Sequence, residues 1–183
     1  MGRLDEAPLP KWSDWRFRRM CLVFGVVDLF SSAEKRMARL PLEPGMTVVD
    51  YACGPGRYTI DIARRVGVAG KVYAVDIQPL AISTVHDKVK RAGLANVEAI
   101  LVDTYHTGLH DACADLVILL DAFYDIGDRN AVLREVRRLL KQGGTFILEP
   151  GNMDHDFARY TVTESGQFRF RQKRGKDQWY SPV

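Results

Sequence analysis

Long apolar runs, paired cysteines and a strong charge of either sign are all missing from this 183-residue sequence. The longest unbroken apolar stretch, Met20 to Val27 (MCLVFGVV), falls far short of the ~20 residues that a membrane span requires. Arg16, Arg18 and Arg19 precede it as in a signal peptide, but no small-residue cleavage site follows and Asp28 ends the run. No targeting segment is expected. Cys21, Cys53 and Cys113 lie far apart with no Cys-x-x-Cys pair. That spacing argues against a disulfide framework and against a zinc site, so no metal is expected, and it suits a reducing cytoplasm. With 26 basic and 23 acidic residues, the net charge of +3 is too small to argue for a nucleic-acid partner. The length fits one domain with a core of its own.

What is present is an alternation of strand-like and helix-like segments from residue 46 onward. TVVDYA (47–52), KVYAVD (71–76), NVEAILVD (96–103), DLVILLDAF (115–123) and TFILEP (145–150) are short and rich in β-branched or apolar residues. Between them, RYTIDIARRV (57–66) sets Ile60, Ala63 and Val66 at helical spacing. PLAISTVHDKVKRAG (79–93) opens on a first-turn proline, closes on Gly93 and puts Ile82, Val85 and Val89 on one face. DRNAVLREVRRLLKQGG (128–144) has Asp128 as its N-cap and a double glycine as its stop. This interval predicts a parallel sheet with helices on both faces. Beyond Pro150 a helix over residues 154–164 is expected, and then a hairpin turning at Gly175, whose short connection requires antiparallel strands.

In such a sheet, ligands bind beyond the carboxyl ends of the strands. Four of those ends carry aspartate: Asp50, Asp76, Asp103 and Asp121. The loop Cys53-Gly54-Pro55-Gly56-Arg57-Tyr58-Thr59 lacks the third glycine of a dinucleotide fingerprint, and Pro55 removes an amide that could face a pyrophosphate. The Gly-Lys-Ser/Thr of a P-loop is absent too. Both omissions weaken a phosphate-binding reading. They favour a nucleoside ligand with a zwitterionic tail, its ribose hydroxyls accepted by Asp76 and its approach eased by glycines without a Cβ.

VVDYACGPGRYT resembles motif I of the class I S-adenosylmethionine-dependent methyltransferases, (D/E)-x-G-x-G-x-G, with Ala52 in place of the first glycine. YAVDIQP is similar to their second signature, DLVILLDAF to their fourth strand, and LLKQGGTFIL to their helix-to-fifth-strand signature. The resemblance runs over about residues 42–150 with the blocks in order. It implies a Rossmann-like three-layer α/β/α sandwich, with a seven-stranded, mostly parallel sheet and an antiparallel last strand. It also implies S-adenosylmethionine as cofactor, S-adenosylhomocysteine as product, and a cofactor site residue by residue. Asp50 and Gly54 to Gly56 would line the methionine portion, and Asp76 would hold the ribose. Ile77 would pack on adenine and Asp103 reach its amino group. Ala52, Cys53, Tyr58, Thr104 and Asp121 complete the expected surround. Residues 1–40 would form a helical cap on the cofactor domain at 41–183.

The acceptor in this family lies past the fourth strand, so Asp121 and Tyr124 are candidate catalytic residues. His155, in a loop at the same edge, is a third. Asp121-Ala122-Phe123-Tyr124 lacks the prolines of the nucleobase amino-methylating signature, and the Lys-Asp-Lys-Glu set of ribose methylation is not evident. His106, in the loop after the third strand, is a possible base as well, although a surface role suits it as it does His86 and His110. Trp12, Trp15, Phe17, Met20, Phe24 and Phe30 make the N-terminal segment apolar and aromatic. A lid over residues 12–37 suits an apolar or aromatic small-molecule acceptor, while packing on the sheet edge or on a second subunit suits the same residues. The nearby arginines would also permit contact with a membrane surface. Arg169, Arg171 and Lys173 share one face of a strand, most simply a solvated one. The expected protein is therefore a cytoplasmic small-molecule methyltransferase, monomeric or homodimeric. The alternatives are a cofactor-binding protein without transferase activity, a nicotinamide-dependent oxidoreductase, or an RNA methyltransferase.

Overall fold

The computed structural model describes residues 8–30 and 36–183. The parts of the expected cap and lid at 1–7 and 31–35 lie outside the described residues. The strands are β1 (Thr47–Tyr51), β2 (Lys71–Asp76), β3 (Val97–Leu101), β4 (Ala114–Leu120), β5 (Leu140–Glu149), β6 (Phe168–Arg174) and β7 (Asp177–Pro182). The helices are α1 (Asp14–Phe30), α2 (Thr59–Val66), α3 (Pro79–Ala92), α4 (Arg129–Leu139) and α5 (His155–Glu164). The seven strands pair in the order β3-β2-β1-β4-β5-β7-β6. β1 to β5 are parallel, and β7 runs antiparallel to both β5 and β6. This is the expected α/β/α sandwich with its antiparallel hairpin.

Strand alternation fills both faces. Val49, Val117, Leu119, Phe146 and Leu148 pack with Val132 and Val136 of α4 and Ala158 and Val162 of α5. Their neighbours Val48, Leu116, Ile118 and Ile147 point the other way, against Ile62, Ala63 and Val66 of α2. Each fully buried branched side chain contributes roughly 1.5–3 kcal/mol, so a polar residue on either face of these central strands would be costly. On α2 the buried position is Ile62, and Ile60, expected inward, is only half-buried. Ala63 and Val66 are buried as expected.

The helix ends carry the expected punctuation. The Asp128 carboxylate accepts from the Ala131 amide at 2.9 Å, Pro79 opens α3, and Gly93 closes it in the left-handed conformation. The double glycine is not the stop of α4. That helix ends at Leu139, because Leu140 already pairs with Ala114 of β4. Gly144 instead permits a close approach, since a Cβ there would stand 2.9 Å from Leu140 Cδ2 and 3.2 Å from the Ala114 carbonyl.

Candidate active site

The chain builds β1, β2 and β3 outward in one direction and then returns to lay β4 beside β1 on the other side. Connections therefore diverge beyond the carboxyl ends of β1 and β4, which opens a crevice there. Both strands leave the sheet through a non-glycine residue in the left-handed conformation, Ala52 at φ 58° and Asp121 at φ 60°. Such backbone is costly for residues with a Cβ and persists where the surroundings over-determine it.

The crevice holds about 940 Å3 of free space, its mouth included. On one side Asp76 accepts from the Gly54 amide through Oδ2 and from the Gln78 amide through Oδ1, each at 2.8 Å. One carboxylate thus pins the glycine loop while each oxygen keeps a lone pair for another donor. Burial pushes the Asp76 carboxyl up, and these amides restrain the rise. The loop is packed as tightly as its glycines allow: a Cβ on Gly56 (φ 68°) would stand 2.8 Å from Val85 Cγ2. Thr59, where a third glycine was sought, is fully buried and donates its hydroxyl to Asp50 Oδ2 at 2.6 Å. Burial pushes Asp50 up to about 7 despite that hydrogen bond, and the nearby Asp76 charge adds to the rise.

Opposite stands a charged cluster around Asp121. Its Oδ2 receives Tyr58 Oη at 3.2 Å, Arg57 Nη1 at 3.3 Å and Arg36 Nη1 at 3.4 Å. Arg36 also donates to Tyr58 Oη at 2.7 Å and lies 3.4 Å from Asp177 and 3.9 Å from Glu149. Burial opposes ionisation of Asp121, but its hydrogen bonding to Glu149 and the two guanidinium charges hold it below the usual carboxylate range. Glu149 is pushed up to about 7, first by burial and then by Asp121. Its Oε2 accepts from the amides of Asp121 and Gly151, which ties together the backbone just beyond β4 and β5. Asp121 is therefore committed to neighbours already present. Arg36, Arg57, Glu149 and Asp177 were not singled out from sequence. The one local signal was a glutamate ending the otherwise apolar strand TFILE.

The cover comes from the N-terminal segment. Trp12, Phe17 and Met20 line the crevice beside Tyr124, and Met20 Cε lies 4.0 Å from where a Gly54 Cβ would be. Trp12 Nε1 donates to Asp125 Oδ2 at 2.9 Å, and the Arg16 guanidinium stacks 4.0 Å from the Trp12 ring. A second lobe continues past Ala52, Asp76 and Ile77 to Val102, Tyr105 and Ile126, roofed by Leu9 and Pro10.

Of the residues expected at the site, Asp50, Ala52, Cys53, Gly54, Tyr58, Asp76, Ile77, Asp121 and Tyr124 line the crevice. Gly56 supports it from behind. Asp103 and Thr104 line neither lobe. The Asp103 carbonyl is taken by the Leu9 amide at 2.7 Å, and the exposed Asp103 side chain lies outside. His155 is not brought there either, being the first residue of α5 with its carbonyl bonded to Gln178. Among the described residues no His/Cys/Asp/Glu group could hold a metal.

The residues present fit a nucleoside with a charged tail. Asp76 offers acceptors beside the apolar Ile77, the Gly54 backbone faces the crevice with Met20 Cε at van der Waals distance, and Gln78 Oε1 is a buried acceptor on the crevice wall with no partner among the described residues. Comparison with known proteins agrees. A family model described as a methyltransferase domain matches residues 42–181. A demethylmenaquinone methyltransferase of a Geobacillus species is 31% identical over 114 residues, 62% of this chain and 49% of that relative. A ubiquinone/menaquinone biosynthesis C-methyltransferase of Idiomarina loihiensis is 30% identical over 57% of this chain and 42% of its own length. The chain spans about half the length of these curated relatives. In fold, a SAM-dependent methyltransferase from Aquifex aeolicus matches with a TM-score of 0.81 at 23% identity, over 94% of this chain and 100% of that one. Glycine loop, acidic strand ends and family match converge, and the chain belongs to the class I S-adenosylmethionine-dependent methyltransferases.

Proposed function

We propose that this protein transfers a methyl group to a flat, apolar small molecule, with a quinol-type aromatic ring as the acceptor class. One observation carries this reading. One crevice runs from Asp76 and Ile77 at the end of β2 to an apolar and aromatic side made by Trp12, Phe17, Met20 and Tyr124. The quinone-pathway names of the relatives point to the same chemistry.

S-adenosylmethionine supplies an electrophilic methyl group on a sulfonium. Asp76 is read as the acceptor for the ribose hydroxyls, Ile77 as the apolar platform for adenine, and the backbone at Gly54 as the bed of the methionine portion. The acidic residues Asp50 and Asp76 favour a cationic ligand over a neutral one. In-line displacement chiefly requires orientation and exclusion of water, which the cover from Trp12 to Met20 supplies. The acceptor contributes the electron pair of the new bond to carbon, sulfur keeps the pair of the old one, and the acceptor's proton passes to solvent water. Asp121 does not take that proton directly, since its carboxylate already faces Arg36, Arg57 and Tyr58. The Arg57–Tyr58–Asp121 group instead holds a polar oxygen of the acceptor, and Tyr124 bounds its ring. Three free cysteines support placement in a reducing cytoplasm.

The test is transfer of label from methyl-labelled S-adenosylmethionine to a reduced, short-chain demethylmenaquinone, together with calorimetry against S-adenosylhomocysteine. Asp76→Asn should weaken S-adenosylhomocysteine binding by about 10–100-fold, because one acceptor becomes a donor facing backbone amides and ribose. Unchanged affinity would remove Asp76 from its role. Tight binding with no transfer to any quinol or phenol would overturn the acceptor class.

A further inference from the structure

Helix α1 has two apolar faces. Phe17 and Met20 point into the crevice. On the opposite side Trp15 and Leu22, seven residues and nearly two turns apart, are 68% and 73% exposed, with Val23 beside them at 53%. Arg18 and Arg19 sit on the same outer face, both exposed. Arg19 lies 5.4 Å from the Trp15 ring, and among the described side chains neither arginine has an ion pair. Water is a poor neighbour for that surface, whereas a bilayer interface suits every part of it. Tryptophan and leucine enter the headgroup boundary, and arginines at the same level meet lipid phosphates. Arg16 is excluded from this surface because it stacks on Trp12 and faces Asp125.

We propose that the outer face of α1, from Trp15 to Val23, docks on an anionic lipid bilayer. The helix would lie in the membrane plane, as no helix among the described residues is long and apolar enough to cross. The docked face is the back of the element whose inner face covers the crevice. A lipophilic acceptor would therefore pass from the bilayer to Phe17 and Met20 around one helix without crossing water. That last step rests on the quinol reading above; the docking itself does not.

Vesicle sedimentation of the full chain tests it, using phosphatidylglycerol-rich and pure phosphatidylcholine vesicles. Binding to the anionic vesicles is expected, falling about tenfold or more when salt is raised from 0.1 to 0.5 M. Trp15→Ser with Leu22→Ser should abolish it, and Arg18→Glu with Arg19→Glu should do the same. All four positions lie outside the crevice, so S-adenosylhomocysteine affinity should stay within about twofold, which also shows that the variants fold. Equal binding to both vesicle types, or none to either while S-adenosylhomocysteine still binds, would overturn docking and leave the methyltransferase reading standing. A dimer in sedimentation velocity that Leu22→Ser dissociates would assign the face to a second copy and overturn it too.

Discussion

Replacing Ala52 by glycine should make this protein more stable. Ala52 holds φ at 58° at the end of β1, where an L-residue's Cβ crowds the following carbonyl at a cost of roughly 1–2 kcal/mol. Glycine removes that cost but enlarges the entropy of the unfolded chain, returning about 0.4–1 kcal/mol. The balance is a gain of about 0.5–1 kcal/mol, or about 2–4 °C per kcal/mol in the melting temperature for a chain of this size. Urea titration reads it most directly, as a higher midpoint at unchanged slope. Ala52 lines both lobes of the crevice, so S-adenosylhomocysteine affinity should be measured alongside. Loss of one methyl group should leave it within a few-fold. Ala52→Val makes the opposite test, because a β-branched side chain suits this backbone least and should cost about 2 kcal/mol or more. If the glycine variant unfolds at lower urea, or the valine variant matches the parent, the strain assigned to this strand end is wrong.

Two further outcomes follow from the geometry. Glu135, a buried residue of α4, accepts from Arg138, from the amide and hydroxyl of Thr107, and contacts His106 at 3.0 Å. Burial opposes its charge, but those hydrogen bonds prevail and hold it down to about 2. A depressed carboxyl stabilises the fold above its unfolded pKa and loses that contribution as pH falls through the folded one. Glu135→Gln should therefore cost on the order of 2 kcal/mol above pH ~4.5, with the gap closing towards pH ~2. Paired urea titrations across that range check it, and a gap independent of pH would contradict it. Gly151→Ala, at φ 68°, would place a Cβ 2.8 Å from Tyr124 Cε1 and closer still to Cδ1. It should raise KM for the acceptor several-fold by displacing the ring while changing S-adenosylhomocysteine binding little; equal effects on both would detach Tyr124 from the acceptor side.

Strand and helix identities were legible because each answers to a local rule. β4 reads as DLVILL since both its faces are buried, and α3 is bracketed by Pro79 and Gly93. The rim of the crevice was legible too, because the parallel fold sends every strand's carboxyl end to one side. Asp50 and Asp76 needed only their positions at strand ends. Position at a strand end was not sufficient, however. Asp103 obeys the same rule, yet its backbone is engaged by Leu9, a residue far away in sequence. His155 likewise follows a strand of the correct edge, yet it opens α5 with its carbonyl taken by Gln178 and lines neither lobe.

Sequence alone determined the layered α/β architecture, the order of its elements and the family of the glycine loop, because periodicity, caps and turn residues act over a few neighbours. Tertiary structure decided which charges meet. Arg36, Arg57, Asp121, Glu149 and Asp177 come from five separate segments, and their cluster exists only because β4 returns beside β1 while β5 and β7 pair next to it. Ion pairing of that kind has no sequence period to read. It depends on strand order and on a shared buried environment, in which each carboxylate's charge is set by the others.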